Sequence, residues 1–288
     1  PAYLRDVKIE RDGDIGIVRV RRPEVRNALC MQTVREIGAA FEELDADPKI
    51  KGIIFTSYDG ALSGADINEL AALETAEEAE GICLQAHPVQ KLISGIKKPV
   101  VAALDGPVMG GGAEFAMVCH ARVVGQNLIF GQPEVNLGII PGYGATQRLP
   151  RLIGVERALE LLRTGRSLGA REACELGWAH GEPAAEPERA GKDLIREHLA
   201  GKIKLAPVNP APMAAPDPIP NVAIGHRSLV VDKILVDAVK RGIQLPLDEG
   251  LRVEAKAFAE VRDTIDADIG IKNFMTNGPR TPAAFIHE

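Results

Sequence analysis

The chain has 288 residues, a formal net charge of −6 at pH 7, 45% hydrophobic residues and 26% charged residues. This composition is ordinary for a globular protein with one substantial core, and the acidic balance argues against nucleic acid as a bulk partner. No apolar run approaches the roughly 18 residues that a membrane span needs, and the charged first residues contain no secretory h-region. We therefore expect a cytoplasmic protein with no membrane partner, and the alternative is a matrix protein from which a transit peptide has been removed.

The four cysteines and six histidines show no pattern typical of a metal site or a disulfide framework. The cysteines are widely separated and form no CxxC pair, and the histidines show no HExxH or paired spacing. We therefore expect free thiols and no bound metal.

Strand and helix patterns alternate through the first half of the chain. Runs of β-branched and apolar residues predict buried strands, and apolar positions that recur every three or four residues predict helices. This order predicts a layered α/β core. The expected elements are a hairpin of residues 7–10 and 15–20, a helix over 31–44, a strand over 51–57, a short helix from Asp66, a helix over 77–94, and strands over 100–104 and 121–125.

The second half is helical and contains one long connector. Residues 207–220 include six prolines and little periodicity, so we expect them to lack regular structure and to link the core to the tail. Apolar stripes on the last helices need a partner surface, which is either the core or another subunit. The expected helices cover residues 144–153, 155–164, 170–176, 228–241, 246–262 and 266–275.

The stretch 100–134 is the most informative part of the sequence. An apolar strand leads into three glycines at 110–112, Glu114 is expected in the first turn of the following helix, and Glu134 lies on a later loop. A glycine-loosened helix N-terminus directs free N–H groups at a ligand, as an oxyanion hole requires, which suggests acid–base chemistry on a carbonyl compound. The alternative is a plain turn and a glutamate that only favours the helix dipole. No Gly-Lys-Ser/Thr follows the glycines, so the sequence contains no phosphate-binding nucleotide loop here.

Five motifs occur in order along the chain. They are RRPEVRNAL (21–29), ALSGADINEL (61–70), DGPVMGGGAEFAMVCHARV (105–123), FGQPEVNLGIIPGYGATQRLPRLIG (130–154) and the segment 162–180. Together these motifs resemble the crotonase (enoyl-CoA hydratase/isomerase) superfamily, and the closest resemblance is to an enoyl-CoA hydratase. The tail DEGLRVEAKAFAEV (248–261) also resembles the terminal helices of the hydratase portion of multifunctional β-oxidation proteins.

The resemblance implies a spiral of ββα units with a helical C-terminal region that packs against neighbouring subunits in a homotrimer or a dimer of trimers. We expect residues 1–200 to form the core with the acyl-CoA site, 201–221 the connector, and 222–288 the C-terminal helical region. The resemblance implies no permanently bound cofactor, because coenzyme A arrives as the carrier of the thioester substrate.

The resemblance also implies the roles of four site residues. The backbone N–H groups of Ala65 and Gly111 form the oxyanion hole for the thioester oxygen. Glu114 activates water, and Glu134 donates the proton to C2 of a 2-enoyl-CoA, which yields a 3-hydroxyacyl-CoA. Two glutamates favour a hydratase, a hydro-lyase, over an isomerase that manages with the Glu134 position alone.

Contacts to coenzyme A and to the acyl group are also implied. Lysines common in the family are replaced by Asn68 and Asn277, which Lys272 or Arg280 could compensate. The alternatives are a solvated Arg26, an Asp66 that only caps a helix, and a Phe274 in the core. The implied coenzyme A contacts are Arg26, Ala28, Ser63, Ala65, Asp66, Ile67 and Phe274, and the acyl-pocket candidates are Leu84, Met109, Pro141 and Gly142.

Two other functions remain open from the sequence. The first is a related isomerase that converts 3-enoyl-CoA to 2-enoyl-CoA, which the ratio of isomerisation to hydration would reveal. The second is a non-catalytic, RNA-associated protein on the same scaffold. The acidic balance and the presence of both glutamates argue against the second.

Overall fold

A computed structural model describes residues 4–288 of the chain. The predicted hairpin and the predicted strands around residues 51–57, 100–104 and 121–125 are confirmed within a few residues. Three shorter strands that the patterns did not predict are Pro107–Met109 (β5), Ile129–Gly131 (β7) and Leu168–Gly169 (β8). In chain order the strands are β1 (Val7–Asp12), β2 (Ile15–Val20), β3 (Gly52–Ser57), β4 (Val100–Leu104), β5 (Pro107–Met109), β6 (Ala121–Val124), β7 (Ile129–Gly131) and β8 (Leu168–Gly169).

The predicted helices are also confirmed, with ends that differ by at most three residues. One helix, Pro187–Leu199 (α8), was not predicted. Two 3-10 helices cover Pro23–Val25 and Glu134–Leu137. The α-helices are α1 (Met31–Ala46), α2 (Ile67–Ala71), α3 (Ala76–Ser94), α4 (Gly110–Val118), α5 (Ala145–Ile153), α6 (Val155–Thr164), α7 (Ala170–Glu175), α8 (Pro187–Leu199), α9 (Leu229–Ile243), α10 (Leu247–Arg262) and α11 (Ile265–Asn277).

The chain forms two compact units, each assembled from separate stretches of sequence. The first contains the residues up to Gly64, together with Ala86–Phe130 and Leu168–Val208. The second contains Ala65–Gln85, Gly131–Ser167 and Asn209–Glu288. The division of the chain at residues 200 and 221 stays a prediction.

The first unit is built on a five-stranded sheet in the order β1-β2-β3-β4-β6. Strands β1 and β2 pair antiparallel from Val7↔Val20 to Asp12↔Ile15, and the other neighbours are parallel. Strands β3 and β4 are buried along their whole length, as expected for parallel strands with both faces covered. The unpredicted helix α8 packs on this sheet, and a Cβ on its Gly191 would lie 2.9 Å from Ile54 Cδ1.

A second, three-stranded sheet in the first unit has the order β5-β7-β8. Its strands have only two or three residues, which is too short for an alternating pattern to be visible in the sequence. Strand β5 ends at Met109, immediately before α4, and Leu62 forms a parallel bridge with Val108. The small sheet therefore determines where α4 begins.

The second unit is largely helical. Helices α5, α6, α9 and α10 pack on one another, and α11 packs on α2 and on the 3-10 helix of Glu134. The predicted absence of regular structure over 207–220 is confirmed. Two backbone hydrogen bonds hold this connector, from Met213 N to Ile243 O (2.7 Å) and from Leu247 N to Pro210 O (2.9 Å). No helix within residues 4–288 is both long and apolar enough to cross a membrane.

Candidate active site

The two glycine-containing segments of the predicted oxyanion hole come close together in the first unit. Leu62 N donates to Pro107 O (2.8 Å) and Met109 N donates to Leu62 O (2.9 Å), so the segment before Gly64 runs beside β5. Gly64 has a φ of +110°, and a Cβ there would lie 3.2 Å from Met109 O. A Cβ on Gly112 would lie 2.5 Å from Leu62 O. Glycine is therefore required at both positions for this close approach.

Gly111 lies in the first turn of α4, where N–H groups have no acceptor within the helix. The N-cap residue Met109 makes no side-chain capping bond, and the first turn contains no acidic residue. Ala65, the other predicted donor, follows Gly64 in the chain and begins the next stretch, which belongs to the second unit.

The prediction that Glu114 lies in the first turn of its helix is wrong. Helix α4 begins at Gly110, which has a φ of +52°, and Glu114 is its fifth residue. Residues three apart on a helix share a face, so Glu114 lies on the same side of α4 as Gly111. Its side chain is buried, with 2% of the residue exposed. Glu114 is therefore placed one turn beyond the first N–H groups of the helix.

Three of the predicted coenzyme A residues are brought together in the first unit. Ser63 N donates to Arg26 O (3.2 Å), and Leu29 N donates to Gly64 O (2.6 Å). Ala28 lies between these contacts and is buried, whereas the Arg26 side chain is exposed. This arrangement leaves the Arg26 guanidinium accessible to a phosphate.

Asn27 holds this loop in place, and sequence reasoning missed it. Its Nδ2 donates to Asp59 Oδ1 (2.9 Å) and to Ala61 O (2.9 Å), and its Oδ1 accepts from Arg22 N (2.8 Å). Asn27 has a φ of +62° and is completely buried. Asparagine tolerates the left-handed region better than most residues, which is the one signal the sequence offered.

The remaining predicted coenzyme A residues lie in the second unit. Asp66 is the N-cap of α2, and its Oδ1 accepts from Asn68 N (2.9 Å), so this side chain caps the helix while its contact with coenzyme A stays a prediction. Helix α2 with Ile67 packs on α11, which contains Phe274. Asn68 and Asn277 are exposed, and Asn277 Nδ2 donates to Asn273 Oδ1 (2.9 Å).

Glu134 begins a single turn of 3-10 helix in the second unit, which ends at Gly138 with a φ of +70°. Gln132 Nε2 donates to both carboxyl oxygens, at 3.2 and 3.1 Å. Although the residue as a whole is partly exposed, its carboxyl group is surrounded by protein atoms, and this burial raises the pKa of Glu134 to about 7. Glu134 is therefore a carboxyl group that holds a proton near neutral pH.

A second buried carboxyl group, Glu254 on α10, was not predicted because a glutamate on a terminal helix usually lies on the solvated face. It accepts hydrogen bonds from Gly144 N (2.6 Å), Thr146 N (2.9 Å) and Thr146 Oγ1. Burial raises the pKa of Glu254 to about 7 as well, while these donors and the Arg148 charge oppose the rise. The charge of Glu254 in turn raises the pKa of Glu134, so the two groups titrate as a pair.

The acyl-pocket candidates are divided between the units. Met109 is in the first unit, and Leu84, Pro141 and Gly142 are in the second. A Cβ on Gly142 would lie 2.8 Å from Cys83 Sγ and 3.0 Å from Phe258 Cδ2, so α3, α10 and this loop meet at Gly142. Leu84 is 41% exposed and Pro141 is buried, so these candidates have different surroundings.

A family model described as enoyl-CoA hydratase/isomerase matches residues 10–185, which is more than half of the chain. The chain belongs to this family. It is 33% identical over 274 residues to the short-chain-enoyl-CoA hydratase of Clostridium acetobutylicum, with 94% of this chain and 95% of that protein covered. The predicted resemblance to the crotonase superfamily is thereby confirmed.

The chain is also similar to one solved structure and to part of one longer protein. A solved structure of an enoyl-CoA hydratase subunit I from Geobacillus kaustophilus is 32% identical and covers 99% of both chains, with a TM-score of 0.61. The predicted α/β fold with a helical C-terminal region is therefore confirmed. The fatty acid oxidation complex subunit alpha of Shewanella amazonensis is 35% identical over 271 residues, but only 38% of that longer protein is covered.

Proposed function

We propose that the protein hydrates 2-enoyl-CoA thioesters to 3-hydroxyacyl-CoA. Family membership supports a thioester substrate. The observation that supports hydration most directly is that the two glutamates of the proposed site are suited to opposite proton transfers. Glu134 has a pKa raised to about 7, and Glu114 lies on the same side of α4 as the Gly111 N–H. One group can supply a proton while the other takes one, which addition of water requires.

The proposed chemistry follows from the polarisation of the thioester. The carbonyl withdraws electrons, so C3 of the enoyl group is electrophilic and C2 gains carbanion character as water adds. Glu114 accepts a proton from the water that attacks C3, and Glu134 gives its proton to C2. The N–H groups of Ala65 and Gly111 bind the oxygen on which enolate charge develops, and each such donor is typically worth roughly 10²–10³ in rate.

In this proposal, Arg26 binds a phosphate of coenzyme A and the segment Ser63–Ile67 binds the adenine through backbone groups, with Phe274 beside it. Hydrogen bonds between Ser63, Gly64 and the loop of Arg26 support one continuous binding segment. The Arg26 contact is tested by comparing KM for crotonyl-CoA with KM for crotonyl-pantetheine in wild type and Arg26→Ala. We expect KM to rise only for crotonyl-CoA. An equal change for both substrates would contradict the phosphate contact.

An isomerase that moves a 3-enoyl bond to the 2-position is the second candidate. The description of the matching family includes isomerases, and a carboxyl group with a pKa near 7 can both give and take a proton. We propose isomerisation as a side activity of the same site. The ratio of 3-hydroxyacyl-CoA to 2-enoyl-CoA formed from a 3-enoyl-CoA measures it.

We also propose a homotrimer or a dimer of trimers. Three exposed apolar side chains support it, Leu229 (60% exposed), Ile265 (49%) and Ile286 (50%). Leu229 N donates to His287 Nδ1 (3.0 Å) and Ile286 N donates to Asp266 Oδ1 (2.8 Å), so these segments of the second unit adjoin. Light scattering after size exclusion measures the mass. A monomer at micromolar concentration would contradict this assembly.

The function is tested by following the absorbance of the conjugated enoyl thioester after purified protein is mixed with crotonyl-CoA. We expect the absorbance to fall, and a Glu134→Gln protein prepared in the same way provides the control for contaminating activity. Longer and cyclic enoyl-CoA substrates then define the acyl range. If no 2-enoyl-CoA is hydrated, the proposal is wrong, and conversion of a 3-enoyl-CoA would then identify an isomerase.

A further inference from the structure

Arg122 on β6 lies at the C-terminal end of α4, the helix whose first turn contains Gly111. Its Nη1 donates to two carbonyls of the last turn, Ala116 O (3.2 Å) and Cys119 O (3.1 Å). Its Nε donates to Trp178 O (2.7 Å), and its guanidinium lies 5.7 Å from the centroid of the Trp178 ring. Only 6% of Arg122 is exposed. The side chain therefore caps α4 from inside the protein.

Arg122 keeps its charge in this position. Burial lowers the pKa of Arg122 to about 10, so the guanidinium remains protonated at neutral pH. Its hydrogen-bond acceptors are neutral carbonyls, and within residues 4–288 no carboxylate forms an ion pair with it. Burial of a charge without a carboxylate is costly, and a neutral amide side chain could donate to the same carbonyls at a lower desolvation cost. Capping alone does not account for a charged residue here.

The electric field of the Arg122 charge acts along α4 toward the N-terminal turn that contains Gly111. All nine residues of α4 are buried, so bulk solvent screens its two ends from each other less than it would on an exposed helix. The C-terminal pole of a helix is equivalent to about half a negative charge, which weakens the field at the N-terminus. A full positive charge at that pole cancels this effect and reverses its sign.

We propose that Arg122 is a positioning residue for the oxyanion hole, which strengthens the field that α4 directs at the oxygen bound by the Gly111 N–H. This inference rests on the proposed function, because it needs a thioester oxygen at that end of α4. Nine residues span about 14 Å. At an effective dielectric constant of about 20, a unit charge at that distance changes the rate on the order of five- to tenfold.

The test compares Arg122→Gln, which retains donors without the charge, with Arg122→Lys, which retains the charge. The first readout is kcat for crotonyl-CoA. The second is the red shift of the absorption band of 4-dimethylaminocinnamoyl-CoA, whose carbonyl becomes more polarised in a stronger field. For Arg122→Gln we expect a five- to tenfold lower kcat, a smaller red shift and a KM within about twofold of wild type. For Arg122→Lys we expect both readouts to return most of the way to wild type.

A second pair of variants tests the charge without removing Arg122. Cys119→Asp adds a carboxylate at the C-cap of α4 beside Arg122, and Cys119→Asn is the matched neutral control. We expect Cys119→Asp to reproduce the smaller red shift and Cys119→Asn to retain the wild-type shift. This pair also serves if Arg122→Gln does not fold, which thermal melting would reveal.

The possible outcomes separate this inference from the proposed function. If the wild-type protein binds the probe with no red shift, the proposed oxyanion hole and this inference are both wrong. If the wild type shows the shift and the charge-removing variants retain it, this inference alone is overturned. Equal loss in Arg122→Gln and Arg122→Lys, or in Cys119→Asp and Cys119→Asn, would also overturn it, since Arg122 would then act only as a structural cap.

Discussion

The N-termini of α4 and α5 have similar sequences and different surroundings. Helix α4 begins with three glycines and α5 follows Gly142 and Gly144, and neither helix has an acidic residue in its first turn. At α5, the carboxylate of Glu254 accepts hydrogen bonds from Gly144 N and Thr146 N. At α4, the N-cap Met109 makes no side-chain capping bond.

This difference separates a structural helix end from one suited to a ligand. A helix N-terminus favours an anion, and the protein supplies its own anion to α5. The N–H groups of Gly144 and Thr146 at the start of α5 therefore have an acceptor, Glu254 on α10 of the same unit. At the α4 end the N-cap side chain of Met109 makes no such bond, and the proposed function uses this end for the developing enolate oxygen.

The largest expected effect concerns the two glutamates assigned to the chemistry. Glu134→Gln should lower both hydration and isomerisation by about 10²–10⁴, since the amide cannot supply the proton. Glu114→Gln should lower hydration by a similar factor but spare part of the isomerisation, because isomerisation needs no water. Initial rates with crotonyl-CoA and a 3-enoyl-CoA measure both.

Glu36→Gln is the matched control, since Glu36 is a buried glutamate of the first unit that accepts from Asp6 N (2.8 Å). We expect its hydration rate to remain within about threefold of wild type, because single substitutions away from a site rarely change the chemical step. If Glu114→Gln hydrates at the wild-type rate, the assignment of the water-activating group is wrong.

The second prediction closes the α4 N-terminus with an anion of the protein. In Met109→Asp, the new carboxylate at the N-cap should accept from N–H groups of the first turn and compete with the enolate oxygen. We expect kcat/KM to fall by about 10²–10³, while the free energy of unfolding rises by about 0.5–1 kcal/mol. Urea denaturation and initial rates measure the two changes, and Met109→Leu is the control for loss of the methionine. A fall in stability together with full activity would contradict an uncapped N-terminus.

The third prediction opens the α5 N-terminus. Glu254→Ala leaves the N–H groups of Gly144 and Thr146 and the Thr146 hydroxyl without their acceptor. We expect the free energy of unfolding to fall by about 2–3 kcal/mol. Glu260→Ala on the exposed side of the same helix should change it by less than about 0.5 kcal/mol. Equal effects in a urea titration would show that Glu254 does not stabilise the α5 end.

The fourth and smallest effect is the dependence on pH. Hydration needs Glu134 protonated, and its pKa is raised from 4.5 to about 7, so the rate should fall by about tenfold per pH unit above that value. Glu254→Gln removes a negative charge that raises the pKa of Glu134, so the falling limb should move to lower pH. An unmoved limb in the pH–rate profile would contradict the pairing of these groups.

The same shifts predict a loss of stability as pH rises. Glu134 and Glu254 have folded-state pKa values above the ordinary value of 4.5, so the folded state binds protons more tightly than the unfolded chain. The resulting stability is fully present below about pH 4.5 and is lost as pH rises through about 7. Urea denaturation at pH 5 and pH 8 measures it, and an increase at pH 8 would contradict the raised values.

Most helices and the central strands were predictable because burial of one face leaves a regular pattern. Helix α8 was missed although Ala190, Leu194 and Ile195 recur at helical spacing. Its contact with the sheet also includes Gly191, whose lack of a side chain permits the close approach. The register of α4 was also missed. Glycine is a weak helix former, so three glycines indicated a turn. Only the tertiary structure shows that Leu62 approaches the helix so closely at Gly112 that a side chain there would not fit.

The family motifs indicated Gly111, Glu114 and Glu134 as a candidate site, because their residue types and spacing are local in the sequence. Asn27, Arg122 and Glu254 were not predictable in this way. Asn27 donates to Asp59, Arg122 to Trp178, and Glu254 accepts from Gly144, over separations of 32, 56 and 110 residues. No local pattern contains such partners.

The sequence by itself determined the family, the order of most strands and helices, and two glutamates near glycine-rich segments. These depend on periodicity, on glycine and proline, and on motifs within a few residues of each other. Only the tertiary structure decided which glycine-led helix end is capped by a buried carboxylate and which carboxyl group holds a proton near neutral pH. Both depend on burial and on charges from distant parts of the chain, because desolvation and Coulomb interactions act through space rather than along the sequence.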